Sequence, residues 1–231
     1  MNIYFLLEGR STEKKVYRSW LQHLLPELQE VKQYEQAGDK NYFLISAHGY
    51  PSIIHEYIPD AIERIQETGK YEYLVVCIDA EEDDVDSKKR EITDFISQKG
   101  LWRNLGQTKL ILIIQNRCIE TWFLGNRKMF DSRQPLAGEL SHYVNYYDVS
   151  VKDPELLGNY KPDYNHAEFH QIYLKAIFEA KGRRYTKNNP GDVQEKYYLH
   201  QLIKRINESQ HLRSFQVFMN FCNLIKDELP Q

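Results

Sequence analysis

Carboxylates that follow directly on short apolar runs are the residues of this chain best placed to do chemistry. Glu8 follows Ile3–Leu7, the acidic segment Asp79–Asp84 follows Tyr73–Ile78, and Glu120 lies a few residues beyond Leu110–Ile114. Apolar runs of this length read as strands covered on both faces. In an open parallel sheet, ligands bind outside the carboxyl ends of the strands, where loops converge. Acids gathered there repel one another, and a hard cation offsets the repulsion. Mg²⁺ (or Mn²⁺) suits such a set, because it takes oxygen ligands, often only one or two carboxylates with waters completing its shell. Asp79–Asp84 also fits a solvated loop whose acids favour the start of the next helix, and Glu8 fits a surface turn. Rigid strands ending at every one of these acids favour the metal site.

Other residues point less sharply. Arg183-Arg184-Tyr185-Thr186-Lys187 suits phosphate contacts and ordinary solvated charge about equally. Arg117 is spaced to pair with Glu120, three residues on, across one helix face. His166 and His170 are four apart on an expected helix, but with no H-E-x-x-H pattern or third ligand they read as helix-surface histidines. His48, at the end of the second strand, can reach the same crevice or simply occupy a turn beside Gly49. G-x-x-x-x-G-K-[ST], G-x-G-x-x-G and G-x-S-x-G are all missing, so a P-loop ATPase, a dinucleotide oxidoreductase and a serine hydrolase of that type have no support.

The elements that must position these residues alternate. Ile3–Leu7 is followed by turn residues 8–11 and a helix over Val16–Leu25, with Ser11 as its cap and Glu13 in its first turn. Tyr42–Ile45 leads into a helix from Ile53 to Gln66 that ends near Gly69. Tyr73–Ile78 leads through the acids into a helix over Ser87–Lys99, and Leu110–Ile114 into a helical Cys118–Leu124. The fold class is therefore α/β with a mainly parallel, four-stranded sheet. Beyond Arg133 the alternation stops, and helices are expected over Ala167–Ala180, Gln194–Asn207 and Leu212–Leu229. Two portions follow: 1–132 as the catalytic domain and 133–231 as a helical extension packed on it.

Composition bounds the function. In 231 residues, 42% hydrophobic and 27% charged, disorder is untenable. The net charge of −3 argues against binding by bulk positive charge, so any nucleic-acid contact is local. No apolar run approaches the roughly 18 residues of a membrane span, and Met1–Glu8 lacks the features of a signal peptide. The expectation is a soluble, cytoplasmic protein without a membrane partner, with Cys77, Cys118 and Cys222 as buried thiols.

Glu8-Gly9 after the first strand and Asp79-x-Glu81 after the third resemble the two motifs of the TOPRIM domain, the metal-binding module of topoisomerases, primases and several nucleases. Arg117–Leu124 looks like the E-x-W-L stretch of small stand-alone TOPRIM-like proteins, some found in anti-phage defence beside an ABC-type ATPase, and Tyr185-Thr186-Lys187 is similar to their late Tyr-x-Lys segment. The resemblance implies a Rossmann-like TOPRIM domain and Mg²⁺-dependent phosphodiester cleavage of DNA or RNA. It assigns metal binding to Asp79 and Glu81, with Asp83 as a further ligand. Glu8 becomes a second-ion ligand or general base, Glu120 a supporting or second-metal group, and Lys187, Arg183 and Arg184 phosphate contacts. An ATPase partner and self-association are implied as well. The family's D-x-D reads Asp79-x-Glu81 here, a departure that favours the alternative of a catalytically inactive TOPRIM-fold interaction or regulatory module.

Overall fold

The computed structural model describes residues 1–129, 136 and 138–229. The expected boundary between 132 and 133 lies outside them. The chain forms two compact units, one of Met1–Ile78, Val85–Ile114 and the residues from Phe218 on, the other of Asp79–Asp84 and Gln115–Val217.

The first unit is built on a sheet in the order β2-β3-β1-β4-β5. Its strands are β1 (Asn2–Leu7), β2 (Gln29–Val31), β3 (Asn41–Ser46), β4 (Tyr73–Asp79) and β5 (Lys109–Gln115). β1 pairs in parallel with both β3 and β4, Leu7 lying opposite Ser46 and Cys77. All six residues of β1 are buried, as a strand covered on both faces requires. The chain builds to one side of β1 and then crosses to the other, which puts the topological switch point between the carboxyl ends of β1 and β4. The sheet has five strands where the sequence predicts four. The extra one, Gln29-Glu30-Val31, is a short, polar edge pairing with β3, and edge strands of that kind carry no apolar run by which to be read.

Helices α1 (Thr12–Leu24), α2 (Ile58–Thr68), α3 (Val85–Gln98) and the short α4 (Trp102–Leu105) connect the strands. A π-helical turn over Ile53–Tyr57 runs straight into α2, which ends at Gly69 in the left-handed conformation expected of a C-terminal glycine. Ser11 does not cap α1 through its side chain. The nearby Gly9 N–H goes instead to the buried Glu13 carboxylate at 2.8 Å.

In the second unit, α5 (Ile119–Phe123), α7 (His166–Ala180) and α8 (Lys196–Glu208) fall where the periodicity puts them, whereas α6 (Gly138–Tyr146) takes up a tyrosine-rich stretch whose pattern gave no helix. Arg205 of α8 is 1% exposed. Its guanidinium donates to the carbonyls of Gly125, Val149 and Lys152 at 3.1, 2.7 and 2.6 Å, tying three stretches of chain to one helix. At Gly125 a Cβ would meet Leu212 Cδ1 at 2.4 Å and the Trp122 carbonyl at 2.8 Å, so only glycine fits there.

Helix α9 (Arg213–Glu228) begins in the second unit and continues in the first. Its Phe221 makes edge contacts with Phe5 of β1 and Tyr73 of β4, and its Phe218 with Tyr17 of α1. Cys77, Cys118 and Cys222 are free and buried, as expected. No helix among the described residues is long and apolar enough to cross a membrane. Because Phe221 is buried against two strands, Phe221→Ala should lower unfolding free energy by about 3–5 kcal/mol, read as a reduced urea midpoint with an unchanged slope.

Candidate functional site

Glu8 is the residue after β1, 8% exposed, with its N–H on the Cys77 carbonyl of β4 at 3.0 Å. One carboxylate oxygen accepts the Tyr50 N–H at 3.1 Å. Tyr50 in turn meets a cation that sequence reasoning missed. The Lys88 ammonium sits 4.0 Å over the Tyr50 ring and donates to Glu91 at 2.9 Å, and the Tyr50 hydroxyl donates to the other oxygen of Glu91, also at 2.9 Å. The Lys88 side chain is 4% exposed. A buried ammonium needs such partners, and a carboxylate together with an aromatic face supplies them. The signal for Lys88 was its spacing: it heads the buried stripe Lys88, Ile92, Ile96 of α3. His48 is exposed and faces the Tyr57 ring, centroids 5.4 Å apart. Lys88→Ala should destabilise the fold by about 1–3 kcal/mol, since it strips the charge from this arrangement and leaves Glu91 only half-satisfied; chemical denaturation checks this.

The second unit carries the acidic segment. Asp79 is the last residue of β4, and the segment it opens is laced to the chain leaving β5. The Ala80 N–H donates to the Gln115 carbonyl at 2.9 Å and the Glu81 N–H to the Arg117 carbonyl at 2.8 Å. The Arg117 guanidinium returns the contact, donating to the carbonyls of Glu81 and Asp83 at 3.0 and 3.2 Å. Glu81 and Arg117 both take positive φ, +52° and +69°, so the lacing holds two side-chain-bearing residues in a conformation they rarely adopt. Arg117 thus braces the acidic loop through these carbonyls instead of pairing with Glu120.

Glu120, 2% exposed on α5, accepts instead from the Tyr185 hydroxyl at 2.8 Å. Two segments singled out in the sequence, 65 residues apart, therefore meet side chain to side chain. Burial pushes the Cys118 thiol well up, and the charges of Glu120 and Asp79 push it further. Glu81 and Asp83 are exposed. Lys187 is exposed on a tight turn closed by paired backbone hydrogen bonds between Thr186 and Asn189, and Arg184 is exposed just before Tyr185. Arg183 pairs with Asp192 and donates to the Tyr197 hydroxyl at 2.9 Å.

Of the two histidines, His166 lies at the surface as expected and His170 does not. His166 contacts Glu82 twice, the backbone N–H at 2.7 Å and the ring Nδ1 at 2.6 Å. Partial burial pushes the Glu82 carboxyl up, but these contacts outweigh it and hold the group below the usual carboxylate range. His170 is fully buried. Its Nε2 faces the Leu157 carbonyl at 3.1 Å, so Nε2 carries the proton and Nδ1 accepts from the Thr121 hydroxyl at 2.7 Å. Burial lowers its pKa from 6.5 to about 4. The unfolded chain therefore takes up a proton as pH falls below about 6.5, while the folded one refuses it until about 4. Stability should drop across that window by up to about 3 kcal/mol, and His170→Gln should flatten the slope in urea titrations at stepped pH.

Among the described residues, no group of three or more His, Cys, Asp or Glu side chains is placed to hold a metal ion. Mg²⁺, which one or two carboxylates with waters commonly hold, does not by itself require such a group. No protein-family model, curated protein or solved structure matches the chain.

Proposed function

We propose that the chain is a Mg²⁺- or Mn²⁺-dependent nuclease of TOPRIM type, cleaving phosphodiester bonds in DNA or RNA. The observation that carries this reading is the Asp79–Asp84 segment, which leaves a parallel strand and is fixed through its backbone by Gln115 and Arg117, with Glu120 held by Tyr185.

In this reading Asp79 holds the metal, with Glu120 beside Cys118 as the buried second oxygen donor and Glu81 and Asp83 reaching it directly or through water. When bound, such an ion orients phosphate oxygens and lowers the pKa of a coordinated water. Tyr185 keeps the Glu120 carboxylate in one orientation. Lys187, with Arg184, offsets phosphate charge from its exposed turn. To Glu8 the resemblance gives the role of general base on the attacking water or of second-ion ligand. The resemblance extends the proposal to an anti-phage effector under an ABC-type ATPase partner.

A second reading, a regulatory module without catalysis, is favoured by the lack of a three-ligand group among the described residues. Calorimetry separates the two. Mn²⁺ and Mg²⁺ should bind the wild type, with binding lost in Asp79→Ala and weakened at least about tenfold in Glu120→Gln, the loss of one charged ligand being worth more than 1.4 kcal/mol. Metal-dependent cleavage of DNA or RNA should disappear with Glu8→Ala as well. A folded wild type indifferent to both ions would select the regulatory module.

A further inference from the structure

A second cleft in the same unit has a different chemistry. It encloses about 390 Å³ and is lined by Lys128, Lys181, Arg183, Asn126, Gln201 and Tyr197, together with one methionine. Pockets of a few hundred Å³ hold small organic ligands. Among the described residues, three of those lining it are cations and none is an acid, in a chain whose net charge is −3. Like charges converging on one cleft raise each other's free energy unless an anion joins them.

Asp192 sits outside the lining and pairs with Arg183. That contact offsets one charge and orients the guanidinium, which has five N–H donors and uses only part of them on Asp192 and Tyr197. Lys128 and Lys181 remain, and about two positive charges match a phosphate monoester near neutral pH. Tyr197 is 47% exposed, yet its hydroxyl is held by Arg183, so an aromatic face stands fixed and open at the cleft. Such a face stacks a nucleobase of any sequence. Asn126 is 4% exposed and spends its carbonyl oxygen on the Lys128 N–H at 2.9 Å, which leaves its amide hydrogens as donors; Gln201 adds a second carboxamide.

We propose that this cleft binds a nucleoside phosphate, with Lys128, Lys181 and Arg183 on the phosphate, Tyr197 on the base and the two carboxamides on polar edges. The ligand is either a free nucleotide or the phosphorylated end of a nucleic-acid strand. The site does not depend on the metal reading, because it uses none of Glu8, Asp79, Glu81 or Glu120.

The test is calorimetry on the full chain with 5′-AMP, inorganic phosphate, and a short single-stranded oligonucleotide with and without a 5′-phosphate. AMP should bind, weaken with added salt, and lose about tenfold or more in Lys181→Glu and in Tyr197→Ala. Inorganic phosphate should bind at least about tenfold more weakly than AMP, for want of stacking. If the 5′-phosphorylated oligonucleotide binds and AMP does not, the strand end is the ligand, provided the same two variants abolish it. Loss of AMP binding in Asp79→Ala would place the ligand at the acidic segment and overturn the proposal. So would the lack of binding by every probe, equal binding of phosphate and AMP, or indifference to both Lys181→Glu and Tyr197→Ala in variants shown by circular dichroism to be folded.

Discussion

Five carboxylates in six residues, Asp79 to Asp84 with only Ala80 between, cannot hold themselves in one shape. Their mutual repulsion favours an extended, fluctuating loop. What fixes the segment is the exchange of backbone hydrogen bonds with residues 115–117 and the return of the Arg117 guanidinium onto two loop carbonyls. A guanidinium on carbonyl oxygens brings positive charge close to the acids without engaging any single carboxylate. The functional reading depends on this arrangement, since it fixes the backbone that carries the acids.

The same economy appears elsewhere in the second unit. Arg205 is buried without a carboxylate partner and meets carbonyl oxygens from three places in the chain. Burial, together with the charge of Arg127, lowers its pKa to about 10. Backbone dipoles satisfy it, so the fold gains a cross-link among segments that lack regular structure. His170 does similar work as a neutral ring between Thr121 and Leu157. In the first unit the buried cation is managed differently, by an aromatic face and a carboxylate around Lys88.

Much of the frame was legible in the sequence because buried strands leave an apolar run: β1 and β4 are buried almost throughout, and β3 and β5, buried only in part, carry such a run as well. The polar edge strand Gln29–Val31 does not, and it is held by its pairing with β3 and by the Arg18–Glu30 ion pair. Glu8, the acidic segment and Glu120 were visible as acids at strand ends. Their supports were not. Lys88 reads as a solvated residue by type, and only its position at the head of an apolar stripe betrays it. His170 sits on a helix whose buried face is wide enough to take in a histidine. The hydroxyl that meets Glu120 comes from a loop that reads, on its own, as surface charge, and no local pattern encodes a contact across that span.

That long-range contact sets an order of events during synthesis. The acidic segment and its Arg117 brace are made early, but Glu120 gains its Tyr185 donor only after 65 more residues have been added. Until then a carboxylate destined for burial stays hydrated and free to turn. The nascent chain thus carries the acids of the candidate centre well before the hydroxyl that aims one of them, and this arrangement is completed only when the loop before α8 has been made.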